Sequence, residues 1–203
     1  MTQLIEQYRK YTIPALQKEF KIANVMATPK LTKVVINVGV GRLFKEDKIL
    51  ERISKEVAIL SGQKPTFRMA KKSIASFKIR QGVPVGIAVT LRGDRMYDFT
   101  DRFINIALPR SRDFRGIPVS NVDASGNLNM GLKESSIFPE LNYENVKDIF
   151  SLQVTFTTTA HTQAEGVALF KSLGFPIKLP TTNNQQPTTK NSEVVSRKLS
   201  VVS

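Results

Sequence analysis

The chain has 203 residues, 41% of them hydrophobic, and its 30 Lys and Arg against 17 Asp and Glu give a net charge of +13. That length holds one domain with a substantial core or at most two small ones, and the excess charge makes a polyanion the first partner to consider. No Cys and a single His exclude disulfides, thiolate zinc sites, Cys nucleophiles and most imidazole catalysis, while no run approaches the roughly 18 apolar residues of a membrane span, so a soluble protein without a cofactor is expected.

Leu4, Ile5, Tyr8, Leu16 and Phe20 recur at helical spacing around Pro14. They predict one kinked helix or two short ones, with Thr12 as the cap of the second. LTKVVINVGVG, residues 31–41, is rich in β-branched residues and ends in glycines, which predicts a strand with Val34, Ile36 and Val38 on one face. Lys33, Val35 and Asn37 share the other. Its NVGVGR ending has Phe44 where a dinucleotide-binding turn needs a third glycine, so a plain strand-to-turn junction is the better reading. Ile49, Ile53, Val57 and Leu60 mark a helix that stops near Ser61 and Gly62. A short strand over 65–69, the stretch KKSIASFKIRQG (71–82) and a second good strand over 83–92 follow. In that strand Val85, Ile87, Val89 and Leu91 share a face, leaving Gly86, Ala88, Thr90 and Arg92 opposite.

The next helix is predicted to start at Asp94 as N-cap, to bury Met96, Phe99, Phe103 and Ile106, and to end at Pro109. Asp94, Asp98 and Asp101 then read as solvated helix charges. After PRSRDFRG (109–116), the segments IPVSNV and LNMGLKES flank the turn DASGN and suggest a hairpin with Leu128, Met130 and Leu132 on one face. SLQVTFTTTA (151–160) is a strand with Val154, Phe156 and Thr158 opposite Thr155, Thr157 and Thr159. His161 lies between that strand and a final helix, without a second His or Cys beside it. That helix opens with Thr162 and Glu165 in capping-box spacing, runs through Val167 and Leu173, and closes on Gly174 with Pro176 beyond. The class is α+β with a largely antiparallel sheet. We expect one domain over 1–178 and a polar, low-complexity tail over 179–203, which carries only +2 of the net charge.

Charge placement points to function. Residues 57–93 contain no Asp or Glu, yet hold Lys64, Arg68, Lys71, Lys72, Lys78, Arg80 and Arg92. Ordinary surfaces intersperse both signs, so a field of one sign over this length favours phosphate. If helices cover the apolar faces of the two long strands, the open face presents Lys33, Asn37, Thr90 and Arg92 among small residues, which admits a nucleic-acid backbone closely.

SGQKP (61–65), AKKSIASFKIRQG (70–82), VTLRGDRMYDF (89–99), PRSRDFRG (109–116), IFPELNY (137–143), TFTTTA (155–160) and LGFPIK (173–178) occur in order. With them the chain resembles the bacterial-type large-subunit ribosomal protein five family, the 5S-rRNA-binding protein of the central protuberance. The resemblance implies a non-enzymatic structural component of the large subunit, its antiparallel sheet backed by helices on one face and open to RNA on the other with a protruding basic loop, in which Asn37, Gln63 and Thr90 contact 5S rRNA. Lys64 and Arg68 join Lys33 and Arg92 as basic candidates for the same RNA. It further implies that the loop with Lys71, Lys72, Ser73, Ser76, Phe77, Lys78, Arg80 and Gln81 reaches peptidyl-site tRNA. Other implied partners are 23S-type rRNA and neighbouring ribosomal proteins, including a small-subunit head protein reached through a bridge; the implied location is a ribosome, in the cytoplasm or an organelle. Without the resemblance, a free-standing RNA-binding regulator or chaperone fits the same basic face. An RNA-processing enzyme would need carboxylates or His converging beside it.

Overall fold

Nine residues of alternating burial form the central strand β1 (Leu31–Gly39), whose Val34, Ile36 and Val38 are fully buried. In this computed structural model, which describes residues 3–41, 47–112, 114–141 and 149–178, β1 is flanked by β2 (Thr66–Met69) and β3 (Pro84–Leu91) on one side. Phe44 and the tail, 179–203, lie outside the described residues. After the short strand β4 (Ile117–Pro118), β5 (Leu128–Leu132) and β6 (Leu152–Thr158) complete a five-stranded sheet in the order β2-β3-β1-β6-β5. Every pairing in it is antiparallel, as the alternating patterns require.

The helices cover one face only. α1 (Gln3–Gln7) and α2 (Ile13–Phe20) are joined by a wide turn, Tyr8–Thr12, in which the Ile13 N–H donates to the Tyr8 carbonyl five residues back. Thr12 therefore stays helical with no side-chain cap, correcting the expected break. The wide turn absorbs Pro14, which has no N–H to give. α3 (Asp47–Ser61) buries Leu50, Ile53, Val57 and Leu60 as its spacing predicts, and Gly62 (φ +68°) closes it. α4 (Asp94–Arg102) starts on Gly93 (φ +58°), so Asp94 is its first helical residue and not its cap.

A second wide turn, Phe103–Ala107, links α4 to α5 (Leu108–Arg110), and its one additional residue shifts the buried stripe. Ala107 and Leu108 take the core positions, leaving Ile106 39% exposed where the spacing places it inside. Pro109 does not end the helix, which runs to Arg110. α6 (Gln163–Ser172) is capped as predicted: Thr162 Oγ1 accepts from the Glu165 N–H at 3.3 Å, and Glu165 Oε2 accepts from the His161 N–H at 2.9 Å.

The expected hairpin across 117–135 shrinks to one bridge, Val122 with Leu128. Pro118 cannot donate to an antiparallel ladder, and β4 instead pairs in parallel with β7 (Ile177–Lys178). β5 takes β6 as partner, aligning Leu128, Met130 and Leu132 with Phe156, Val154 and Leu152. The intervening turn survives, with Asp123 Oδ1 accepting from the Asn127 N–H at 2.7 Å, a bond that holds the Asp123 carboxyl below its ordinary range.

Beneath the helices, Phe99, Phe138, Phe103, Phe156, Phe170 and Phe175 form a connected ladder of rings with neighbouring centroids 5.1 to 6.3 Å apart. Aromatic pairs at such spacing add about 0.5–1.5 kcal/mol each beyond burial. The ladder joins α4, β6 and the end of α6, and so fixes the sheet's covered side. Among the described residues no helix covers the other side.

Candidate nucleic-acid interface

Because side chains alternate across a strand, the register that buries Val34, Ile36 and Val38 puts Lys33, Val35, Asn37 and Gly39 on the open face. Pairing then fixes their neighbours. Asn37 lies between Ala88 of β3 and Gln153 of β6; Val35 lies between Thr90 and Thr155; Lys33 faces Thr157. Thr66 and Arg68 of β2 oppose Ala88 and Gly86, and Asn129 and Gly131 of β5 oppose Thr155 and Gln153. No position of this face is Asp or Glu. Its end toward β5 is a shallow groove of about 520 Å³ lined by Asn37, Gly39, Asn129, Gly131, Lys133 and Gln153, among others.

Asn37 and Thr90 therefore share a face, as predicted, diagonally placed and roughly 7–8 Å apart. Asn37 is exposed and Thr90 half-buried, and neither side chain has a hydrogen-bond partner among the described residues. Both keep full bonding capacity for a ligand. Gln63 is brought to them by the turn after α3, but its amide is engaged: Nε2 donates to the Thr90 carbonyl at 2.9 Å, and Oε1 accepts from Arg95 Nη1 at 3.4 Å. The Ser61 hydroxyl holds the same turn by donating to the Gln63 carbonyl at 2.9 Å. Lys64 and Arg92 are exposed at this end of the sheet, Arg68 is exposed on β2, and Lys33 is half-buried. At the far end of β1, Gly86 and Gly39 pair and leave the face without side chains.

The basic stretch is a built arm that extends the β2–β3 hairpin. The Ala70 N–H donates to the Val83 carbonyl at 2.8 Å, Gly82 N–H returns to Ala70 at 3.0 Å, and Ile74 and Ile79 exchange both backbone bonds. A tight turn, Ala75–Phe77, is closed by Lys78 in the left-handed region (φ +54°). Ser73 Oγ accepts from the Gln81 N–H at 3.0 Å, so Ser73 braces the arm and Gln81 contributes its backbone to it. Lys71, Lys72, Ser76, Lys78 and Arg80 lie along the arm with at most partial cover, and Phe77 stands 69% exposed at the tip. Four cations and an aromatic ring on a braced arm suit a ligand recognised by charge and shape.

Arg95 escapes sequence reading because it looks like a solvated helix residue; only its bond to Gln63 ties it to the face. Asn129 and Gln153 escape it because the β5–β6 pairing crosses a long stretch of chain, although parity alone sets Thr155 on the polar side of its strand. His161 is exposed, and the described residues hold no group of three or more His, Cys, Asp or Glu able to hold a metal. No helix among them is long and apolar enough to cross a membrane.

Comparison with known proteins gives two family matches in succession: Ribosomal protein L5 over residues 24–80, and the C-terminal region of the same ribosomal protein family over residues 84–177. Similar curated proteins carry the name large ribosomal subunit protein uL5. That of Geotalea uraniireducens is 49% identical over 178 residues, spanning 88% of this chain and 99% of that protein. Those of Streptococcus thermophilus and Chloroflexus aggregans are 48% and 47% identical, over 85% and 86% of this chain and 96% and 97% of their own length.

Proposed function

The chain belongs to the ribosomal protein L5 family of the large ribosomal subunit, and from that premise we propose that it anchors 5S rRNA on its open sheet face and supports peptidyl-site tRNA with its basic arm. The observation that carries this reading is a five-stranded sheet sealed by helices on one side and free of carboxylates on the other, with a self-bonded cationic arm at its edge.

The division of labour follows from the chemistry. Asn37 and Thr90 offer unspent donors and acceptors to riboses and base edges, and Gln63 sets the strand end beside them. Lys33, Lys64, Arg68 and Arg92 meet phosphates around that contact. The arm is charge and shape without base readout, which suits an RNA that changes identity at every round of translation. A ribosomal location, in cytoplasm or organelle, also supplies contact with 23S-type rRNA and a bridge to a small-subunit head protein, for which we assign no residues.

The test is a filter-binding titration with 5S rRNA. The combined variant N37A/T90V is expected to lose roughly 2–6 kcal/mol of binding, since each bond withdrawn from a buried polar partner costs about 1–3 kcal/mol. Unchanged affinity would remove the sheet face from the interface. Neutralising Lys71, Lys72, Lys78 and Arg80 together is expected to leave 5S affinity nearly intact while weakening tRNA retention on assembled ribosomes.

A further inference from the structure

The sheet has two edge strands, and they differ. At β5, Val122 bridges Leu128, and residues 114–118 stand across a groove from residues 130–133. β2 has only β3: among the described residues Thr66–Met69 make no backbone bond to anything else. Register sets what lies along this free edge. Phe67 pairs with the fully buried Ile87, which turns it toward the helix side of the sheet, yet it stays 36% exposed. Thr66 and Arg68 pair with Ala88 and Gly86 and take the open side. Met69, 54% exposed, ends the strand. Lys64 and Arg68, then Lys71 and Lys72 just past the strand, are exposed and form no ion pair with a described residue.

We propose that the outer edge of β2 docks an extended, acidic segment of another protein, which adds a sixth strand to the sheet. Backbone groups left over at an edge supply affinity for an extended chain, and the side chains beside them supply the choice of chain. A strand laid on β2 turns alternate residues to opposite sides. Those beside Phe67 gain by being apolar, and those beside Arg68 gain by being Asp or Glu. The occupant is therefore a segment in which acidic and apolar residues alternate. Residues 179–203 of this chain do not match, since they hold Glu193 alone against Lys190, Arg197 and Lys198. Nucleic acid has no row of amides and carbonyls at strand spacing, so it satisfies the cations and leaves the edge backbone unmet.

This assignment stands whether or not the sheet binds 5S rRNA, and its test is separate. The peptide acetyl-EVEVEVEVE-amide is titrated into the full chain while the amide resonances are followed. Shifts are expected to concentrate at residues 64–72, with the outward amides of 66–69 gaining protection from hydrogen exchange. A peptide of the same composition, its valines and glutamates in separate blocks, is expected to bind about 10-fold more weakly. N-methylation of the alternating peptide's backbone, which removes its donors, should cost at least as much. F67T/M69T is expected to weaken the alternating peptide about 10-fold with the melting temperature unchanged. Shifts confined to other residues, equal binding by the block peptide or indifference to N-methylation overturns the proposal and reduces the edge to a charged surface. These three readings use the unmodified chain and do not depend on how the variant folds. Equal protection of the same amides by a short RNA duplex overturns it in favour of nucleic acid, and protection without any peptide, together with a doubled mass in sedimentation, overturns it in favour of a second copy.

Discussion

Thr90 and Gln63 touch the same place by different means, and substitution separates them. Thr90→Val keeps a β-branched side chain and removes a hydroxyl that nothing described in the protein uses, so RNA affinity is expected to drop by about 1–3 kcal/mol with unfolding unchanged. Gln63→Ala withdraws the bonds to the Thr90 carbonyl and Arg95 as well, and is expected to cost about 0.5–1.5 kcal/mol of stability along with affinity. Thermal unfolding beside the RNA titration distinguishes a contact from a brace. Elsewhere, Tyr8 donates its hydroxyl to the Pro29 carbonyl at 3.0 Å, and burial, aided by nearby Tyr97, pushes its ionisation up to about 12. Because the folded value lies above the ordinary 10, this contribution to stability is complete below pH 10 and fades between pH 10 and 12. Tyr8→Phe should show a shallower alkaline decline in melting temperature, with a remainder from Tyr97, which burial also raises.

Among elements, the tightest junction is between α6 and the turn before β5. A Cβ on Gly166 would fall 2.5 Å from Gly126 Cα and 2.6 Å from its carbonyl oxygen, both backbone atoms that cannot swing aside. Gly166→Ala is therefore expected to destabilise the fold by about 1–3 kcal/mol, read by chemical denaturation, despite alanine's better helix propensity. The same level shows what a sequence reveals. α3, β1, β3 and β6 follow from periodicity because each has one partner environment along its whole length. Ile106 misleads because a wide turn inserts one residue into the helical count, and nothing in FINIALP announces it except Pro109 downstream. The false hairpin over 117–135 has a similar origin: the turn chemistry at Asp123 is local and legible, but the strands on either side are claimed by β6 and β7, distant in sequence.

On the scale of the whole molecule, the candidate face is half legible. Asn37, Thr90, Lys33 and Arg92 can be placed by parity within single strands, whereas setting Gln153, Thr155 and Asn129 beside them needs the β1–β6 and β6–β5 pairings. Charge is easier, since a stretch without Asp or Glu is visible without any fold. Its measurable consequence is salt dependence: replacing Lys33, Lys64, Arg68 and Arg92 by Gln should flatten the 5S salt slope by up to about 3 to 4 while sparing the order of affinities among RNA sequences.

At the border of the sheet, β3 is the only described strand that pairs with β2, so among the described residues no strand covers its outer row of amides and carbonyls, and Phe67 and Met69 are exposed along it. Such a margin invites a stray strand to dock and seed a fibril. Arg68, Lys71 and Lys72 repel any second copy that approaches there, so the cations we propose for RNA contact double as gatekeepers against self-templating. A variant stripped of them should precipitate when made in excess of its RNA.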